Sequence, residues 1–265
     1  MNMIRALVLA SLASLATLAV AGVAYGAYPG TYGLQGGPAL HWGSSEIRVA
    51  NAVGNTEVIL PSRTATVAGQ YGIPTMITAN LPLGLFRDGS RFVLQSIGIA
   101  QHTSFVVVRT SDLQVAQTIS LDGSYAFDAV SPDGRMVYLI QHRSADLQHY
   151  VVRAYDLDAE RLLPGRIADK TQSSWVMQGW PAARVVTPSG RWVYTLYSNP
   201  GGFPFVHALD TVKGVAHCVG IAWHGDQNQL LRYRLALAGN RLLVRRPDGT
   251  LYRAIDRTTW AVRQR

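Results

Sequence analysis

Four groupings in this sequence contain side chains of types that do chemistry. Asp128 and Arg184 each stand six residues before a turn glycine, Gly134 and Gly190. If the strands carrying them line a channel, a carboxylate and a guanidinium meet there from neighbouring units. The pair then serves either as a polar, ligand-holding channel mouth or as a plain structural ion pair, which perturbs charge without function. His142, Asp146 and His149 share the loop QHRSADLQHY, and two imidazoles around a carboxylate are a donor set for zinc or copper. Nothing nearby supplies the supporting hydrogen-bond pattern of a metal centre, so the loop reads as solvated, and neither metal nor cofactor is expected.

His207, His217, Cys218 and His224 form a third grouping. On a strand His217 and Cys218 point to opposite faces, which separates thiol from imidazole and leaves Cys218 as a small buried apolar residue. Trp175, Trp180, Trp192 and Trp223 form the fourth. Aromatics on a loop can floor a pocket. Trp192 sits inside a predicted strand and reads as core, whereas Trp175 and Trp180 fall in an enlarged connection, where binding residues concentrate. Motifs that would name a reaction are absent: the sequence has no G-x-S-x-G, H-E-x-x-H, G-x-x-x-x-G-K or paired C-x-x-C.

The elements that must position these residues repeat. Phe127–Leu163 reads as strand, Ser-Pro-Asp-Gly turn, strand, polar loop and strand. Pro132 supplies the φ such a turn wants, and Gly134 takes a positive φ at little cost. FRDGSRFVLQSI, SPDGRMVYLIQH, TPSGRWVYTLYS and LALAGNRLLVRR place their glycines at 89, 134, 190 and 239, each followed by an arginine: Arg91, Arg135, Arg191 and Arg241. Intervals of 45, 56 and 49 residues belong to four-stranded propeller blades. A following strand ends near Asp112, Asp156 or Asp210 in three of the units. A degenerate first unit fits Pro38–Gly69, with EIRVAN, TEVILP and TATVAG as strands. The expected fold is therefore all-β: a β-propeller of about five four-stranded blades. Two alternatives stay open, a sixth blade drawing on Tyr71–Ala79 and an incomplete ring whose open edge needs cover.

SPDGRMVYLI, TPSGRWVYTLY and FVHALDT resemble the YVTN-type β-propeller repeats, relatives of WD-repeat-like and TolB-like bacterial propellers. The resemblance spans Leu83–Trp260 well and Pro38–Leu83 weakly, and it departs from the WD pattern in lacking that dipeptide. It implies a fold more than a function, because such blades serve as binding scaffolds, lactone hydrolases and redox-enzyme subunits alike.

Residues 1–26 carry one charge, Arg5, then an uncharged run from Ala6 to Val23 and small residues before Ala27. That order reads as a signal peptide cleaved within Ala21–Ala27, with an uncleaved anchor as the alternative. The propeller domain is then 27–265, secreted or held in the periplasm or cell envelope, with a single cysteine and hence no internal disulfide. Arginines outnumber lysines 22 to 2, and Arg232–Arg265 holds nine arginines against two aspartates while Ala27–Leu231 balances at zero. Arg232 and Arg234 on one strand face, with Arg245, Arg246 and Arg253 around the Pro247-Asp248-Gly249 turn, form a candidate patch for an anionic envelope polymer or lipid surface. Scattered, solvated arginine is the plainer account. The reading is a monomeric, exported, non-enzymatic scaffold for a protein or small-molecule ligand, with no specific nucleic acid. It would work at the channel mouth and the loops Arg143–His149 and Gln172–Pro181. The alternatives are a lactonase-like hydrolase at the axial channel and a purely structural envelope protein.

Overall fold

The structure, a computed structural model, describes residues 30–33, 39–42, 46–50, 56–61, 71–72, 74–76, 81–96, 101–112, 114–169 and 176–263. Five antiparallel units follow one another along the chain. Unit 1 is the meander β1 (Gly30–Gly33), β2 (Ala39–Trp42), β3 (Glu46–Ala50) and β4 (Thr56–Pro61). It begins earlier than the expected Pro38 and takes its first two strands from upstream of Glu46; TATVAG lies outside the described residues. Unit 2 is assembled differently. β5 (Tyr71–Gly72) pairs with β8 (Arg91–Ser96), which continues into β9 (His102–Arg109) and β10 (Val115–Asp122). Between them β6 (Thr75–Met76) and β7 (Leu81–Pro82) form a small hairpin. Gly84 and Phe86 also bond to β8, so the inner strand of this unit is interrupted. Of the stretch 71–79, the described residues 71–72 contribute an edge to unit 2 and 75–76 one arm of a hairpin, not strands of a sixth blade.

Units 3 to 5 are regular. Unit 3 is β11 (Tyr125–Val130), β12 (Met136–His142), β13 (His149–Asp156) and β14 (Arg161–Leu162), with β15 (Met177–Gln178) added to the start of β13. Unit 4 is β16 (Pro181–Val186), β17 (Trp192–Tyr197), β18 (Phe205–Asp210) and β19 (Val215–Gly220). Unit 5 is β20 (Arg234–Ala238), β21 (Arg241–Arg245), β22 (Leu251–Asp256) and β23 (Val262–Arg263).

The middle strands of units 3 and 4 are covered on both faces by neighbouring units and are largely apolar. All six residues of β18, FVHALD, are buried. The outermost strand β10 sees solvent and buries only Ile119. Among the described residues three cores join units 2 to 5 in turn: Phe86, Val93 and Phe105 against Phe127, Val137 and Leu139; Tyr138, Tyr150 and Val152 against Val193, Tyr197 and Phe205; Tyr194, Leu196 and Val206 against Leu235, Leu242 and Val244.

The repeated turn is built as its residues dictate. Gly134 has φ +69° and donates to the Ser131 carbonyl at 2.9 Å; Gly190, at φ +75°, repeats the bond to Thr187 at 2.8 Å. The arginine after each glycine then reaches the aspartate that ends the third strand. Arg135 meets Asp156 at 2.8 Å and Arg191 meets Asp210 at 2.8 Å. Each aspartate also accepts two backbone N–H groups of the next turn, from Asp158 and Ala159 or from Val212 and Lys213. Arg91 and Arg241 lie one residue further on, inside their strands, and do not repeat this bridge. In unit 5 Asp256 is the cross-strand partner of Arg241 but bonds Asn240, while Asp112 sits in a turn and pairs with Arg109.

Candidate functional site

The inner strands β11 and β16 bring Asp128 and Arg184 together. A β-bulge between Phe127 and Ala129 leaves Asp128 outside the ladder, and a second lies between Pro181 and Ala183. Bulges re-aim side chains, and here the two point at each other as an ion pair between units 3 and 4, each side chain 3% exposed. Above the pair is a cavity of about 40 Å³ whose lining includes Phe86, Arg87, Asp128, Pro132, Arg184 and Gly190. Such a space holds one or two waters. Arg87 of unit 2 donates to the Pro188 carbonyl of unit 4, across the mouth of this cavity.

Buried around the same pair are Tyr150, Tyr197 and His207. The two tyrosine rings lie 5.3 Å apart, and burial drives both hydroxyls far above their usual range. Burial likewise pulls His207 down to about 4 and pushes the Cys218 thiol up to about 12. His207 Nδ1 stands 3.6 Å from Cys218 Sγ, because β18 and β19 set these residues opposite each other. The backbone N–H of Cys218 donates to Asp169 at 2.8 Å. His217, on the other face, stacks on Trp260 at 4.6 Å. At neutral pH the thiol–imidazole couple is uncharged on both sides, so it offers no thiolate nucleophile.

The remaining candidates lie at the opposite end of the strands, because the β12–β13 connection and the entry to β16 are at the end away from the turn glycines. His149 pairs with Gln178, and Gly179 N donates to the Gln148 carbonyl at 2.9 Å, so the two long loops meet. His142 Nδ1 is bonded to the Leu147 carbonyl at 3.0 Å, and its burial lowers its proton affinity. Asp146 accepts from Ser144 and from Gln148 N, closing its own turn. Among the described residues no group of three or more His, Cys, Asp or Glu is placed to hold a metal. Trp180 is 40% exposed; Trp175 lies outside the described residues. Trp192 stacks on Tyr194 and meets Trp260 edge-on, and Trp223 packs against Tyr233 and Tyr252. The expected single site thus divides: Asp128 and Arg184 lie under the turn-end cavity, and His142, His149 and Trp180 surround the loop end.

The arginine patch also changes. Arg232 closes a short 3-10 helix, Gln227–Arg232, and is not on a strand with Arg234. Arg253 is buried, lies over the Tyr252 ring at 4.0 Å and donates to the Tyr252 and Ala222 carbonyls. Arg232 and Arg234 are exposed, whereas Arg245 and Arg246 bond within their own turn.

One array was missed. His102 Nε2 lies 2.8 Å from Ser120 Oγ, and its Nδ1 lies 3.0 Å from Asp122, the order of a nucleophile, base and orienting acid. Hairpin register across β9 and β10 makes it, which no local motif reveals. The Asp122 side chain is fully exposed, so water competes for each of its bonds.

No protein family matches the sequence, and no curated protein does. Solved structures match by shape. A structure from a study of two prolyl endopeptidases superposes with TM-score 0.51 at 10% identity, over 89% of this chain and 35% of that one. The fold is a β-propeller. TolB from Acinetobacter baumannii gives TM-score 0.46 at 14% identity, over 89% of this chain and 56% of its own, so the chain spans little more than half that protein's length. A 6-phosphogluconolactonase-like protein from Bacteroides uniformis gives 0.47 at 15%, over 90% and 70%. At such identities the likeness concerns the blades and not their chemistry.

Proposed function

We propose that the protein is an exported, non-enzymatic propeller of the YVTN-type repeat class that recognises a macromolecular partner across the turn end of its blades. The state of the cavity above Asp128 and Arg184 carries this reading. Its volume of about 40 Å³ is far below the several hundred Å³ that a small-molecule site needs. Of its three charged groups, Asp128 and Arg184 neutralise each other and Arg87 is bonded to the Pro188 carbonyl, so the cavity presents no free carboxylate or base to a substrate. What such a mouth can accept is a surface, with the turns Phe86–Gly89, Ser131–Gly134 and Thr187–Gly190 as the contact.

The test sets this against a lactonase-like hydrolase. Protein purified from the exporting host is expected to carry no stoichiometric divalent metal and to leave a panel of lactones and esters unhydrolysed. Ser120 should not react with a fluorophosphonate. Lactone turnover abolished by Asp128→Asn would overturn the proposal. Amino-terminal sequencing of the same material should start within Ala21–Ala27, and an intact Met1 in a membrane pellet would refute export with cleavage.

A further inference from the structure

The loop end of blades 3 to 5 carries large apolar side chains left in water. Trp180 is 40% exposed, Phe203 64% and Leu231 40%. They come from three separate connections that hydrogen bonds join into one rim. Trp180 N donates to Ser198 Oγ at 3.2 Å, and Ser198 N donates to the Trp180 carbonyl at 2.9 Å. Gln227 then ties the next loop to the 3-10 helix: it accepts from Asn199 N at 2.6 Å and donates to the Asn199 and Gly202 carbonyls at 3.1 and 2.7 Å. The apolar groups are therefore held out by a bonded frame.

Arginine surrounds them. Arg143, Arg232 and Arg234 are exposed at this end of the strands. Arg234 stands directly opposite Arg245 across β20 and β21, an arrangement that costs stability between like charges. Among the described residues no carboxylate forms a salt bridge with Arg143, Arg232, Arg234, Arg245 or Arg246. The aspartates of this end in blades 3 to 5, Asp146, Asp226 and Asp248, each accept a backbone N–H of their own loop, at 3.0, 2.9 and 2.8 Å, and Asp122, at the same end of blade 2, meets His102 at 3.0 Å.

We infer that this rim docks the propeller onto a bilayer rich in anionic phospholipid. Trp180, Phe203 and Leu231 enter the headgroup region, where amphipathic aromatics favour the interface, and the arginines contact lipid phosphates. An acidic polymer without apolar groups would be met by the arginines alone and would leave three large apolar groups in water. Docking here leaves the turn end, at the opposite ends of the strands, facing away from the membrane. It stands independently of the partner proposed for that end.

Flotation with vesicles of phosphatidylglycerol and phosphatidylcholine, against phosphatidylcholine alone, tests it on the mature protein. Binding is expected only with the anionic lipid. Arg232→Ser with Arg234→Ser should weaken it by roughly fivefold per arginine, and Trp180→Ser with Phe203→Ser by about tenfold or more. Equal charge removal at the turn end, Arg161→Ser with Arg241→Ser, should change it less than about twofold. Melting curves matching wild type confirm that each variant is folded, and Phe203→Ser alone repeats the apolar arm with the smallest change. Failure to float with anionic vesicles overturns the inference. So does wild-type binding by the apolar variant, which would mark the patch as a site for an acidic polymer, and so does equal loss in the turn-end control, which would reduce it to net charge.

Discussion

Replacing Arg184 by methionine should be among the most damaging single changes available in this propeller. Both members of the Asp128–Arg184 pair are 3% exposed, so the variant leaves a carboxylate without its counter-charge between two blades. Breaking a buried pair by removing one partner costs about 3–5 kcal/mol. For a domain of this size that lowers the thermal midpoint by roughly 6–20 °C. Removing both charges behaves differently. Asp128→Leu with Arg184→Met exchanges an ion pair for apolar packing, which is neutral or stabilising in other proteins, so the double variant should recover most of the loss. Urea unfolding at neutral pH gives all four corners of the cycle. A loss below about 1 kcal/mol in Arg184→Met would mean that water reaches the pair. A double variant that simply sums the two single losses would mean that the charges are not coupled, and the account of the cavity floor would fall.

Three further outcomes follow from the same framework. His207 falls from its ordinary 6.5 to about 4 through burial, so the folded protein binds fewer protons than the unfolded chain between those values. Stability should then drop as pH falls through that window, by on the order of 3 kcal/mol in full, and His207→Gln should flatten the slope in denaturant midpoints at pH 7, 5 and 4. Asp156 is lowered from 3.8 to about 2, first by its hydrogen bond from Arg135. The stability this contributes is present above about pH 4 and lost towards pH 2, so wild type and Arg135→Ser should converge over that interval; a constant gap would contradict the linkage. Gly134→Val should destabilise by more than about 1 kcal/mol, because φ is +69° and a Cβ would stand 2.6 Å from Arg91 Nη2 and 2.9 Å from the Phe86 ring. An unchanged melting temperature would refute it.

The regular blades were legible because their information is local. A turn glycine, the following strand and the aspartate closing the third strand recur in units 3 and 4 with one geometry, and the shared register of Asp128 and Arg184 followed from it. Unit 2 broke the pattern because its inner edge comes from β5 and from Gly84–Phe86, separated by a hairpin that leaves no repeat signature. The His207–Cys218 and His102–Ser120 couples depend on cross-strand register, which a hairpin turning at Val212–Lys213 would have allowed for the first. Arg253 was misplaced because the β21–β22 register shifts at Tyr252, a bulge that breaks the alternation and lets Arg253 lie over the Tyr252 ring and reach the Ala222 carbonyl. Counting charge near a turn does not see which face a residue takes. The apolar rim eluded the sequence for a related reason: Trp180, Phe203 and Leu231 lie on three different connections, which the bonds through Ser198 and Gln227 join.

The central claim is recognition at the turn end, and site-specific photocrosslinking tests it most directly. A photoreactive residue at Arg87 or Pro132 in the exported protein should yield one discrete macromolecular adduct, at the same mass from both positions. The same residue at Thr118, exposed on the outer strand of blade 2, should yield none. Indistinguishable adduct patterns from all three positions, or no adduct from the two turn positions, would contradict it.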